Sequence, residues 1–319
     1  MTAGDLHEQI VDAIQDITGR HPGHRAVHAK GTLCHATFAA TPAAAELSRA
    51  AHLQGAPVRA HVRFSNGTGN PHGRDGAQDG RGMAVKLYLD DGTTTDIVAI
   101  SRRQFFVRTA EDFLAFTRAR KPDPETGQPD MAKLGEFLGA HPEAGPAVQE
   151  QLAAMPPVSY AQLEYNGIHA FRLLDAQGAE RWVRYRWTPE AGEATLSGEE
   201  AGELDRDYLQ HEIAARLASG PAAFTLSVAL AGPEDPLEDP TIAWPEERER
   251  VDVGRLEITG VATDRDRDDD VLVFDPMRVT DGIEPSADPI LLARSPAYSV
   301  SVARRSGVGR DAAPATIPR

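Results

Sequence analysis

The feature that most restricts this chain is a succession of β-patterned runs joined by short turns. AVKLYL at 84–89, a DDG turn and TTDIVAI at 94–100 read as a hairpin. HAFRLLD at 169–175, an AQGAE turn and RWVRYRW at 181–187 repeat the arrangement with aromatic and β-branched alternation. Residues 26–38, 58–65, 223–230 and 255–262 supply further strands. Parallel neighbours would need crossovers of a dozen or more residues, so short connections dictate antiparallel pairing. Helical spacing appears at 6–17, where Ile10, Ala13, Ile14 and Ile17 share a face, in three segments between Glu111 and Met155, at 203–217 and at 288–304. Many strands and few crossovers define an α+β fold. The Pro-rich stretch 233–247 is an irregular arm, because strands resume beyond it. The expected organisation is a single domain over 1–319, with a helix and arm at 1–24 and a polar tail at 306–319.

Charge narrows the function classes. Thirty-three Lys and Arg against 48 Asp and Glu give a net charge of −15, which repels phosphate backbones and anionic membranes, so neither nucleic acid nor membrane is an expected partner. The lone cysteine, Cys34, excludes an internal disulfide and multi-cysteine metal sites and fits a reducing cytoplasm. No segment is apolar for long enough to span a bilayer, and the amino terminus lacks the features of a secretion signal. DRDRDDD at 264–270 begins like a calcium loop, but Asp269 and Asp275 stand where such a loop needs Gly and Glu, leaving a solvated acidic turn.

Two places carry candidate chemistry. In ARSPAYSVSVARR, Tyr298 lies four residues after Arg294 and seven before Arg305, so a helix would bring all three near one face. A phenol ligates ferric iron as phenolate, and a guanidinium at hydrogen-bonding distance helps lower its ordinary pKa of about 10. Such a charge-assisted bond contributes about 1.5–3 kcal/mol. The competing reading is an amphipathic helix with surface arginines and one core tyrosine. His28, in RAVHAKG at 25–31, stands at the start of a strand-like run and by itself reads first as a structural histidine.

The ordered combination of RAVHAKG, VRFSNGTG (62–69), RGMAVKLY (81–88), DIVAISRRQFFVR (96–108) and RSPAY (294–298) resembles the haem catalase family. YNGIHAFRL (165–173), IAWPEE followed by VGRLEI, and FDPMRVTDGIEPS (274–286) agree, so the resemblance covers about residues 25–305. It implies a closed antiparallel β-barrel with surrounding helices and haem, of the haem b type, as cofactor. By this resemblance Tyr298 would be the metal ligand and Arg294 its charge partner, tyrosinate being the general rule for catalases. His28 would act as acid and base on peroxide, taking a proton from one oxygen and delivering it to the other as the O–O bond breaks heterolytically. Ser65 would fix the tautomer of this histidine. Arg25, Arg63 and Arg305 would bind the haem propionates, Val27, Phe113 and Phe274 would pack on the macrocycle, and Phe105 and Phe106 would wall the distal pocket.

Two departures qualify the transfer. The family carries an asparagine where direct alignment places Ile100, and an isoleucine donates no hydrogen bond; Asn66 is the nearest substitute, but strand alternation aims it away. The chain also has only fourteen residues after Arg305, so the carboxyl-terminal helical domain of full-length catalases is expected to be lacking. Both point to the truncated catalase-related peroxidases: a haem peroxidase using hydrogen peroxide or organic hydroperoxides and a small organic one-electron donor, with weak or no catalase activity, no NADPH, and a monomeric or small homo-oligomeric state. Alternatives are a true catalase, a fatty-acid hydroperoxide rearranging enzyme, disfavoured by Val27 before the histidine, and a non-catalytic haem-binding barrel.

Overall fold

The computed structural model describes residues 5–123, 125–262 and 272–306; the acidic turn at 264–270 and most of the tail fall outside the described residues. An opening helix α1 (Leu6–Thr18) is followed by β1 (Gly31–Ala40), α2 (Pro42–Leu47), β2 (Val58–Asn66), β3 (Arg81–Tyr88) and β4 (Thr94–Ile100). Helices α3 (Ala110–Ala119), α4 (Met131–Ala140) and α5 (Ala144–Ala153) come next, then β5 (Tyr165–Asn166), β6 (Phe171–Leu174) and β7 (Glu180–Pro189). Helices α6 (Gly198–Glu203) and α7 (Tyr208–Ser219), strands β8 (Ala222–Leu230), β9 (Arg250–Val261) and β10 (Ile283–Pro285), and helix α8 (Pro289–Ser306) complete the order.

Eight strands close on themselves in the order β7-β5-β4-β3-β2-β1-β9-β8, with β7–β8 pairing sealing the ring and every pair antiparallel. Closure removes the exposed edges that an open sheet of this size would leave. Strand β7 pairs with β8 along one edge and shares its other edge between two strands: its start pairs with β6, and Arg186 and Trp187 near its end pair with β5. Side chains alternate across each strand. One set, including Cys34, Phe38, Val62, Phe64, Val85, Trp187, Phe224 and Leu256, fills the interior and is wholly enclosed. Burial also pushes the Cys34 thiol up to about 12, so it packs as a small apolar group.

Both expected hairpins are present, with Tyr88 opposite Thr94 and Leu174 opposite Glu180. Tertiary contacts override two other expectations. The helix expected over 203–217 breaks between α6 and α7, because the Arg206 carbonyl accepts from Asp75 N at 2.8 Å and Lys30 Nζ at 3.0 Å. The strand expected from residue 26 starts only at Gly31, because His28 adopts φ of 54°.

Candidate active site

The opposite, outward set of strand side chains builds the site. Register places Ser65 opposite Gly82 and Gly82 opposite Ile100, one row across β2, β3 and β4. Two residues along each strand, Leu33, Arg63, Ala84 and Val98 form a second row across β1 to β4. Arg63 and Ser65 are buried, at 3% and 4% exposure, although both face away from the barrel core. Something outside the barrel must therefore cover them.

Part of that cover is the segment before β1. His28 is the only described non-glycine residue with positive φ, a conformation that costs an L-residue about 1–2 kcal/mol. Its backbone is held at both ends: its N–H donates to Gly67 O at 3.2 Å and its carbonyl accepts from Arg63 Nη1 at 2.9 Å. The turn lays the imidazole over the first row, where Nδ1 lies 3.0 Å from Ser65 Oγ. Gly82 is required beneath it, since a β-carbon there would sit 2.8 Å from Ser65 Oγ and 2.9 Å from His28 Nδ1.

Helix α8 supplies another part. Arg294 donates to the Tyr298 hydroxyl twice, from Nε at 2.9 Å and Nη2 at 2.6 Å, as their i,i+4 spacing allows. The helix docks on the His28 segment, with Ala26 N donating to Ser301 Oγ at 3.2 Å. Arg25 and Arg305 both donate to the Leu272 carbonyl, at 2.9 and 3.0 Å. Apolar residues line the remainder. Val27 and Phe113 pack with Ala293 and Val300 beside α1 and α3, and Phe105, Phe106 and Phe113 form an aromatic group with ring centroids 4.5 to 6.1 Å apart. Phe274 joins Leu33, Ala84 and Val98. Asn66 points into the barrel, donating to Asp75 Oδ1 at 2.8 Å and accepting from the Tyr160 hydroxyl at 2.7 Å, so it cannot stand in for an amide at Ile100.

Two residues that sequence reasoning left without a role lie behind Arg294. His169 and Asp288 form a buried pair, Nδ1 to Oδ2 at 2.6 Å, and Asp288 Oδ1 also accepts from Ile290 N at 2.8 Å, capping α8. Burial, and after it the Arg294 charge, lowers the His169 pKa against the opposing hydrogen bond to Asp288. The signals were an aspartate just before a helical run and a histidine inside YNGIHAFRL; what was missing was any local hint that the two meet across 119 residues.

Burial first, and then the charges of Arg63, Arg294 and Arg25, depress the His28 pKa to about 3, so the ring is neutral at physiological pH. His52, only 1% exposed and 6.2 Å from the Phe38 ring, is held at about 4 by burial alone. A histidine whose folded pKa lies below its unfolded value of about 6.5 stabilises the fold above that value, and the contribution is lost as pH falls toward the folded pKa. The urea midpoint is therefore expected to fall between pH 6.5 and 4, with His52 alone contributing on the order of 3 kcal/mol. A midpoint that stays constant over this window would contradict the assignment.

A neutral histidine, a guanidinium-held phenol, further arginines beside them and an apolar floor define a site suited to an apolar cofactor that bears acid groups. Comparison with known proteins agrees. Residues 7–319 match the catalase family. The chain is 47% identical over 315 residues to a catalase-related peroxidase of Mycolicibacterium paratuberculosis, covering 98% of each chain. It is 32% identical to a catalase-related peroxidase of Synechococcus elongatus, covering 95% of this chain and 89% of that one. A fungal catalase crystal structure superposes with a TM-score of 0.82 at 26% identity, covering 91% of this chain and 60% of that one. The protein belongs to the catalase family.

Membership implies a haem cofactor, and the residues present fit one. Ala84 and Val98 remain partly open in mid-strand, as do Val27, His28, Phe113 and Tyr298. These side chains provide an apolar surface for a flat macrocycle, a phenol suited to ferric iron, and guanidiniums suited to carboxylates.

Proposed function

We propose that this chain is a haem-dependent peroxidase that reduces hydrogen peroxide or organic hydroperoxides with small organic one-electron donors and releases little or no dioxygen. The observation that carries this is Ile100, which shares the row of Ser65 and Gly82 beneath His28 and puts an alkyl group where an amide would orient peroxide. Tyr298 would hold the iron of haem b, with Arg294 stabilising its phenolate. Arg25, Arg63 and Arg305 would bind the propionates, and Val27, Phe113 and Phe274 would pack on the ring, with Phe105 and Phe106 walling the peroxide side. When bound, the haem supplies a redox centre able to accept two oxidising equivalents from peroxide and pass them on singly.

The protein's own share is proton handling. Ser65, together with a hydrogen bond to the Asn66 backbone that favours a proton on the ring, fixes the imidazole. With Nδ1 carrying the hydrogen, Nε2 is an acceptor. It takes the peroxide proton and returns it to the departing oxygen, work worth about 10²–10⁴ in rate. Because His28 is held neutral by burial and three guanidiniums, this acceptor persists at mildly acidic pH. A reducing cytoplasm suits the buried thiol of Cys34. The enzyme is proposed to work without NADPH, as a monomer or small homo-oligomer.

Parallel assays of dioxygen release and phenolic-donor oxidation on the haem-loaded protein test this reading. Donor oxidation is expected to dominate, and Ile100→Asn should raise dioxygen release by about 10²–10³ if the amide acts as an oriented donor. Vigorous dioxygen release by the parent, with poor donor oxidation, would overturn it.

A further inference from the structure

The outward face of the barrel carries a third row that the chemistry above does not use. Two residues along each strand from Leu33, Arg63, Ala84 and Val98 stand His35, His61, Lys86 and Asp96, paired across β1 to β4. Tyr88 follows Lys86 on the same face of β3. Its hydroxyl lies 2.7 Å from His61 Nδ1, and His61 Nε2 lies 3.1 Å from His35 Nδ1. With the phenol donating, His61 carries its hydrogen on Nε2 and donates onward to His35. His61 is only 7% exposed, whereas Tyr88 is partly and His35 freely open to solvent. The Arg59 guanidinium, 4.0 Å over the Tyr88 ring, and the edge-on His61 ring at 5.4 Å hold the phenol in place.

The other tyrosines are placed differently. Of the six in the chain, Tyr298 accepts from Arg294, and Tyr185 is buried. Tyr160, Tyr165 and Tyr208 donate to Asn66 Oδ1 at 2.7 Å, the Tyr160 carbonyl at 2.9 Å and the Pro157 carbonyl at 2.6 Å. Those oxygens accept a hydrogen bond but do not take the proton. Among the described residues, Tyr88 is thus the tyrosine whose hydroxyl meets a base with an outlet to water. It also lies in line with the site. Ala84, part of the partly open floor, is four residues back along β3, about 13 Å away. Phe274 clusters with Ala84 and reaches Lys86, whose Nζ is 5.3 Å from the ring, so packed side chains fill the interval.

We propose that Tyr88 is a surface oxidation port: it gives one electron to the cofactor site after peroxide has been reduced there, and recovers it from organic donors too bulky to enter the pocket. This rests on the peroxidase reading above and names where such donors react. In the first half of the cycle one electron leaves the Tyr88 ring for the peroxide-oxidised haem. The hydroxyl proton moves to His61 Nδ1 and the Nε2 proton of His61 moves to His35, leaving a neutral phenoxyl radical and a protonated His35. In the second half a donor phenol returns one electron to that radical, both protons retrace their path, and the donor's own proton goes to water. The O–H bond of Tyr88 is broken and remade, and each donor loses one electron. The packed interval passes electrons while keeping the donor away from the reacting oxygens.

Freeze-quenching of the haem-loaded protein after mixing with hydrogen peroxide, read by electron paramagnetic resonance, tests the port. The parent is expected to show a tyrosyl radical. Tyr88→Phe, and His61→Gln, which keeps a hydrogen-bond acceptor but no proton acceptor, should each show about tenfold less of it or lower, with melting temperatures near the parent's. In steady state, the rate with a phenol grafted to a long polyethylene glycol chain, divided by the rate with free guaiacol, should fall about tenfold or more in both variants. A parent that oxidises guaiacol without a tyrosyl signal, an undiminished signal in Tyr88→Phe, or an unchanged rate ratio would overturn the port. Absent guaiacol oxidation in the parent would instead sink the peroxidase reading. Flash-generated ruthenium(III) tris-bipyridine, applied to the same protein without peroxide, then decides Tyr88 by itself: a radical that forms in the parent and not in Tyr88→Phe supports it, and its absence from the parent overturns it.

Discussion

Tyr298→Phe is expected to abolish the phenolate-ligated ferric spectrum of the haem-loaded protein and to cut peroxidase activity about a thousandfold, the scale of several kcal/mol of lost metal chemistry. The fold should survive, because Tyr298 is only half-buried and its hydroxyl is held by Arg294 on the same helix. The expected loss of stability is about 1–3 kcal/mol, from leaving the Arg294 guanidinium without its acceptor. Absorption spectra with and without added haemin, beside a melting curve, separate the two effects. A variant whose spectrum matches the parent's would show that another group holds the iron.

His28 should give the second large effect, of a different kind. His28→Ala is expected to bind haem normally and to react with peroxide about 10²–10⁴ times more slowly, because the site loses the proton acceptor held by Ser65. The left-handed backbone makes a further distinction available. Alanine at φ of 54° keeps the strain, whereas His28→Gly relieves about 1–2 kcal/mol of it. The glycine variant should therefore exceed the alanine variant in stability while being no more active. Rapid mixing with peroxide and urea unfolding measure the two quantities. A His28→Ala protein that reacts as fast as the parent would favour a haem carrier over an enzyme.

Much of this is legible in the sequence. Alternation exposed both hairpins and the β2 strand, since a strand with one face in a core must repeat every two residues. The i,i+4 spacing of Arg294 and Tyr298 foretold their contact, because helix geometry alone creates it. The two-residue strand β5 escaped notice, as nothing in Tyr165 and Asn166 marks them apart from their place in the ring. The backbone of His28 was misjudged for a related reason. Its conformation is imposed by Gly67 and Arg63, both distant in sequence, and a local pattern cannot report a constraint supplied from afar. His169 and Asp288 illustrate the same limit, whereas Ile100 needed only the known register of a hairpin to be placed in the row of Gly82.

The hydrogen bond between Ala26 and Ser301 spans 275 residues, which gives assembly of the pocket a direction in time. Contacts so distant in sequence are slow to form, because a long loop must close before they reward it. During synthesis the strands and the imidazole emerge long before the phenol, leaving a half-built cleft open along one flank. A flat pigment can be laid into such a cleft sideways, and docking of the late helix would then shut it in. Capture of the pigment and completion of the fold would be one event.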